Sequence, residues 1–243
     1  ILARYNQLIK ECRAGYDGYE FHNVFRAVNN FCTTDLSKLY VDITKDRLYT
    51  EKADSHARRS AQTAMYDVLS ALTRLIAPML SFTAEEIWQA MPHVSADVKE
   101  SVFLNDMPAY DEKLADPALT EHWNKQLALR DDVMKALEQA RAEKTIGKSL
   151  DAKVTVYAAD DAQYDLLNGF FGELPTIYIV SGVKLEKGAA PAGAFTETES
   201  GMAVVVEPAD GCKCDRCWMY TEKGKRVEDG FLCDRCAAIV DSL

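Results

Sequence analysis

Five of the seven cysteines lie in one stretch, CKCDRCWMYTEKGKRVEDGFLCDRC, residues 212–236. Two CxxC pairs, Cys214/Cys217 and Cys233/Cys236, are separated by the fifteen residues 218–232, a spacing that suits a four-cysteine zinc site. Each CxxC turn carries two thiolates to one side of a tight knuckle, and two knuckles complete a tetrahedron with Zn–S bonds of about 2.3 Å. Four protein ligands leave no position for an activated water, so the expected single ion is structural and not catalytic. A disulfide-stapled tail would need an oxidising compartment. A redox CxxC comes singly, at a helix start in a βαβ setting. Neither matches a doubled motif. Cys212 would offer only the less usual C-x-C bite and is placed outside the site.

A tail of this length buries little apolar surface, so its folding should depend on the metal, at roughly 10–16 kcal/mol of apparent binding energy. Trp218 directly follows the first knuckle, with Tyr220 close by and six cations in the surrounding sequence. A planar ring beside cations can stack on an unpaired base. It can equally pack over the metal site as a miniature core, and the spacing leaves both readings open. The remaining reactive residues form no constellation. His22, His56, His93 and His122 are scattered, and no paired carboxylates or activated nucleophile emerge. The text KTIGKS ends like a phosphate-binding loop, but the first glycine of that motif would fall on Ala142, and the segment follows a helical pattern instead of a strand. No nucleotide site is expected there.

These residues need positioning elements. Over residues 1–92 the apolar positions recur at helical steps. Phe21, Val24, Phe25, Val28, Phe31, Cys32, Leu36, Leu39 and Ile43 read as one face, and a second run follows a cap at Asp54 or Ser55 and stops before Pro78. Thr83 and Glu86 suggest a capping box launching AEEIWQAM. Antiparallel helices with short loops make a bundle. Between the two long helical runs, residues 44–60 carry five Lys and Arg against three acids. Lys45, Arg47, Arg58 and Arg59 there are candidate phosphate contacts, and a solvated surface with internal ion pairs is the competing reading.

The proline-bearing connector 106–119 leads to a helix opened by Pro117, with Trp123, Leu127, Arg130, Met134, Leu137 and Arg141 along its stripe. AKVTVYA, TIYIVSG and AVVVE read as strands, DAQYDLLNGFF as a short helix, and 188–201 as a loop. The fold class expected is α+β, mainly α: an antiparallel helical bundle over 1–110, a long helix with a small α/β unit over 111–208, and a zinc ribbon over 209–243. Of 243 residues, 48% are hydrophobic and 27% charged, with a net charge of −10. That balance argues against a general nucleic-acid binder, so RNA contact must come from local cationic spots. No apolar run approaches the ~20 residues of a membrane span. No targeting segment is evident, so a cytoplasmic, monomeric protein without membrane contact is expected. A first residue of isoleucine instead of methionine suggests a piece of a longer chain.

The segments YEFHNVFRAVNNFCTTDLSKLYVDITKDRLYT, ARRSAQTAMYDVL, APMLSFTAEEIW, ALEQARAEKTIGKSLDAKVTVY and KCDRCW…LCDRC together resemble the C-terminal region of the bacterial isoleucyl-tRNA synthetase family, over almost the whole chain. The helical part alone is shared with related class I synthetases such as the valyl enzyme. The ribbon with its Cys-Trp step tilts the resemblance to isoleucine. It implies a bundle that binds the anticodon stem of tRNA(Ile) and a ribbon that closes over the anticodon loop. It further implies Cys214, Cys217, Cys233 and Cys236 as zinc ligands, with Arg216 and Trp218 as loop contacts. The family's adenylate-forming motifs HIGH and KMSKS are absent. The parent would ligate isoleucine to tRNA with ATP, while this part has no ATP site, is not catalytic, and works beside the catalytic body of the same protein. Two rivals are a zinc-containing protein-interaction module that never touches RNA and a metal-dependent hydrolase. Four thiolates disfavour the second by closing the coordination sphere.

Overall fold

The computed structural model describes residues 1–228 and 230–242. The chain divides into two compact units, Ile1–Pro117 and Ala118–Leu243.

Unit 1 is built from helices α1 (Leu2–Asp17), α2 (Phe21–Asn30), α3 (Val41–Ile43), α4 (Lys45–Thr50), α5 (His56–Ile76) and α6 (Ser81–Ala90). The Phe21–Ile43 run is a single helical path, but its middle, Phe31–Tyr40, is wound as a π-helix. The wider π turn moves side chains off a 3.6-residue repeat. The expected single face holds only in part: Val24 and Phe31 are buried and Val28 and Leu36 pack against the core, whereas Phe21 and Phe25, in the regular helix α2, are exposed. Leu8, Ile9 and Cys12 of α1 pack with Val24, Phe31 and Val68, Ala71 and Leu75 of α5. Close approach of α1 and α2 depends on Gly15, where a Cβ would sit 2.7 Å from Val24 Cγ2.

Ser55 caps α5, its hydroxyl accepting from the Arg58 N–H. The expected capping box at Thr83 is not formed. Helix α6 starts two residues earlier, at Ser81, whose hydroxyl donates to Ala77 O at 3.0 Å, and Thr83 lies inside the helix. Trp88 closes a second small core with Ala77, Ala84, Met91 and Val102.

Unit 2 opens with α7 (Pro117–Ala142), followed by β1 (Ala152–Ala158), α8 (Asp161–Gly169), α9 (Leu174–Tyr178), β2 (Gly182–Lys187), β3 (Phe195–Thr196) and β4 (Ala203–Pro208). The sheet order is β2-β1-β4-β3, with β1 parallel to β2 and antiparallel to β4. Strand β1 is central and is mostly buried, not alternating. The buried positions of α7 include Arg130 and Leu137 of the expected stripe, with Trp123 and Met134 packed against the core, but the face is broader and also takes in Gln126, Leu129, Val133, Ala136 and Ala140. Small alanines carry part of this contact, and a pattern of bulky side chains does not register them.

TIYIVSG is not a strand. Its first half is helix α9, with Pro175 in the first turn and Ile179 left-handed at the cap. Ile177 and Tyr178 are β-branched or aromatic, but they are buried from a helix, and Val180 is buried just past its cap in the same core. Loop 188–201 carries β3, which pairs with β4. Helix end, sheet and core thus fix the chain on either side of residues 143–151, the segment next to the ribbon. Among the described residues no helix is long and apolar enough to cross a membrane.

Candidate functional site

The ribbon consists of two short hairpins, β5 (Cys212–Lys213) with β6 (Tyr220–Thr221) and β7 (Gly224–Val227) with β8 (Gly230–Cys233), followed by helix α10 (Asp234–Val240). The second CxxC therefore runs from a strand end into a helix. Cys233 is the N-cap of α10, and its sulfur accepts from the Cys236 N–H at 3.4 Å. The sulfurs of Cys214, Cys217, Cys233 and Cys236 all lie within 4.8 Å of one another. A tetrahedron with ~2.3 Å Zn–S bonds has edges of about 3.8 Å, and the Cys217–Cys233 sulfur separation is 3.8 Å. Cys212 is exposed and stands outside the cluster.

The chemistry of the donors also calls for a cation. Burial opposes ionisation of Cys214, but N–H donors from Cys217, Cys233 and Arg216 outweigh it and bring the thiol down to about 6. Burial pushes the Cys217 thiol up and raises Cys236 to about 11. Four thiolates this close are compatible only around a dication, which must displace their protons.

Two contacts stiffen the knuckles. Asp215, inside the first CxxC, donates its N–H to Phe231 O at 2.9 Å and accepts the Phe231 N–H on Oδ2 at 2.7 Å. This clamp needs glycine next to Phe231. At Gly230, with φ +148°, a Cβ would fall 2.0 Å from Asp215 Oδ2. Gly230→Ala should therefore open the clamp and weaken zinc retention by about 1–3 kcal/mol; a competitive chelator titration reads this directly. The second contact is Ser181. Its hydroxyl donates to Leu150 O at 2.5 Å and accepts the Tyr220 N–H at 2.8 Å, tying the ribbon to the 143–151 segment.

Trp218 does not cover the metal centre. The apolar lining there is Leu232 and Ala237, with Met219 packed against them. Trp218 has φ +67° and is 59% exposed, so the left-handed turn after Cys217 sends the ring outward. Arg216 is half-buried.

In unit 1, the cations of residues 44–60 occupy α4, the following turn and the first turn of α5. Lys45 is exposed and pairs with Asp42 at 2.6 Å. That hydrogen bond and charge raise its pKa. Arg47 is half-buried and Arg59 exposed. Arg58 is half-buried, donates Nη1 to Glu51 O at 3.2 Å and keeps a buried Nε with no protein partner. Lys45, Arg47, Arg58 and Arg59 lie in unit 1, and Arg216 and Trp218 in unit 2.

Residues 1–156 match the family model described as the anticodon-binding domain of tRNA ligase. The chain belongs to that family. Residues 211–239 match a second model, the zinc finger found in FPG and IleRS. The zinc is structural, in keeping with the closed four-sulfur donor set.

The resemblance read from the sequence is borne out. The chain is 46% identical over 98% of its length to an isoleucine–tRNA ligase of Desulforamulus reducens, 48% over 96% to one of Geobacter sulfurreducens, and 46% over 100% to one of Carboxydothermus hydrogenoformans. It spans about a quarter of the length of these relatives: 26%, 25% and 26%. The anticodon-binding match extends past the boundary between the two units and takes in α7 and most of β1.

Sequence reasoning missed Asp215, Ser181, Gly230 and Met219 as supports of the centre. The repeated text CDRC held a signal for Asp215 alone, since the others act through partners distant in the chain.

Proposed function

We propose that this chain is the part of an isoleucine–tRNA ligase that recognises tRNA(Ile) by its anticodon stem–loop and orients it for the catalytic body of the same protein. The whole enzyme would join isoleucine to tRNA with ATP in the cytoplasm. This part would act as a monomeric, non-catalytic binding region. Cys214, Cys217, Cys233 and Cys236 hold the zinc in this reading. Residues 1–110 act as the stem-binding bundle, 111–208 as a junction and 209–243 as the loop-binding ribbon. Lys45, Arg47, Arg58 and Arg59 contact stem phosphates, which positions the RNA without reading its sequence. Trp218 and Arg216 contact loop bases, where unpaired nucleotides can splay onto aromatic rings.

One observation carries the reading: a tryptophan that remains 59% exposed on a metal-stiffened turn, in a chain whose family binds anticodons. A large ring held rigidly in water loses little entropy when a base stacks on it. The test is titration of the zinc-loaded chain with a stem–loop RNA bearing an isoleucine anticodon, against an equal-sized hairpin bearing another anticodon. Trp218→Ala should cost about 1–3 kcal/mol of binding and reduce the preference for the isoleucine loop. Unchanged affinity would remove the stacking role. Equal binding of both hairpins across concentrations and salt would favour a protein partner instead.

A further inference from the structure

The KTIGKS text, which fails as a nucleotide-binding loop, lies against the ribbon. Helix α7 ends in a left-handed turn at Lys144, φ +62°, closed by the Thr145 N–H on Ala140 O at 2.9 Å. Ile146 is then sunk into the unit 2 core. Asp151 Oδ2 accepts the Lys148 N–H at 2.7 Å, and the Ser181 hydroxyl grips Leu150 O while holding the ribbon by Tyr220. The loop is thus anchored on both sides of Lys148.

The exposed Lys148 side chain ends with Nζ 6.0 Å from the centre of the Trp218 ring. That is the outer limit of cation–π attraction, about 6 Å, so the ring does not use up the ammonium. Among the described residues no carboxylate pairs with Lys148, whereas Lys45, Lys135, Lys153, Lys187 and Lys225 all have acidic partners. Residues 141–148 hold Arg141, Lys144 and Lys148 against the single acid Glu143, a local cationic excess in a chain of net charge −10.

We infer that Lys148 is an RNA phosphate contact that acts together with Trp218 on one unpaired nucleotide, the ring taking the base and the ammonium its phosphate. This rests on the tRNA-binding reading above and adds a residue from outside the ribbon to its loop-binding site. The geometry supports the pairing because two anchored segments present a flat apolar face and an unspent cation side by side. A single-stranded nucleotide offers the matching flat base and anionic group.

The test measures affinity of the zinc-loaded chain for the isoleucine-anticodon stem–loop as a function of salt, for the unmodified protein, Lys148→Met, Lys148→Arg, Trp218→Ala and the Met/Ala double variant. Zinc content and thermal unfolding are recorded for each. Lys148→Met should bind about five-fold more weakly, with the log–log salt slope reduced by about 0.7, while Lys148→Arg keeps the slope. The double variant should lose less than the product of the two single losses, because both groups hold one nucleotide. Unmodified affinity and slope in Lys148→Met, alongside weakened Trp218→Ala, would overturn the inference and leave the tRNA reading standing. Weaker binding with an unaltered slope would also overturn it, since Lys148 would then only steady the ring. If the unmodified chain fails to prefer the stem–loop over a control hairpin, the underlying reading fails and this inference fails with it.

Discussion

Stripping the metal with a chelator at neutral pH should unfold residues 211–239 and leave the helices of unit 1 intact. The apolar cluster around the sulfurs amounts to Leu232, Ala237 and Met219 beside the cysteines themselves, far too little to offset the entropy of ordering the tail. Structural zinc contributes about 10–16 kcal/mol of apparent binding free energy to modules of this kind, so its loss should be close to complete for the ribbon. In amide NMR spectra, the ribbon resonances should collapse toward random-coil shifts while those of α1 and α5 stay in place. Cys214→Ser or Cys236→Ser should reproduce the effect. Cys212→Ser should retain one zinc per chain, because Cys212 is exposed and outside the cluster. Acidification should act like the chelator, since every thiolate ligand must give way to a proton when the ion leaves. A ribbon spectrum indifferent to chelation would sink the assignment of the metal as the element that folds this region.

Trp88→Ala should destabilise unit 1 by about 3–5 kcal/mol, seen as a fall in its melting temperature of roughly 10–20 °C. Trp88 is fully buried, donates Nε1 to Val98 O at 3.2 Å and lies with its ring centre 4.6 Å from that of His93. Removing it leaves a cavity among Ala77, Ala84, Met91 and Val102 and takes away one of the two donors to Val98 O, which keeps the Asn105 amide. The same substitution at Trp218 should leave both melting transitions where they were, since that ring is 59% exposed and covers no core. Calorimetry on the two variants separates a tryptophan that builds the fold from one that is presented to a partner. A loss below about 1 kcal/mol at Trp88 would mean the surrounding helices can close over the gap.

The failures of local pattern are as instructive as its successes. TIYIVSG has the β-branched and aromatic content of a strand, yet Pro175 sits in a first helical turn and Ile179 in a left-handed cap. Burial in the core, not intrinsic propensity, settled that segment. The Phe21–Ile43 stripe is only partly buried: its middle is π-wound, off the 3.6-residue repeat, and Phe21 and Phe25 stay exposed within the regular helix α2. The α7 stripe of large residues is narrower than the buried face, which also takes in Ala136 and Ala140, buried without being large. The basic turn at 44–60 was legible as a cluster, but not that Lys45 would pair with Asp42 or that Arg58 would reach back to Glu51 O.

The metal chemistry and the kinship are legible in the residues alone. Two CxxC pairs place thiols at a bite set by a short stretch of backbone, and that geometry is local enough to be read from spacing. Only the tertiary structure decided what stands beside the centre. It turns Trp218 outward through a left-handed residue and joins Asp215 to Phe231 across the knuckles. Through Ser181 it brings Lys148 from seventy residues upstream to within 6.0 Å of the Trp218 ring. Those contacts join positions whose separation along the chain carries no periodicity. Packing and hydrogen-bond satisfaction across the whole of unit 2 select them, and no window of residues read in order contains that information.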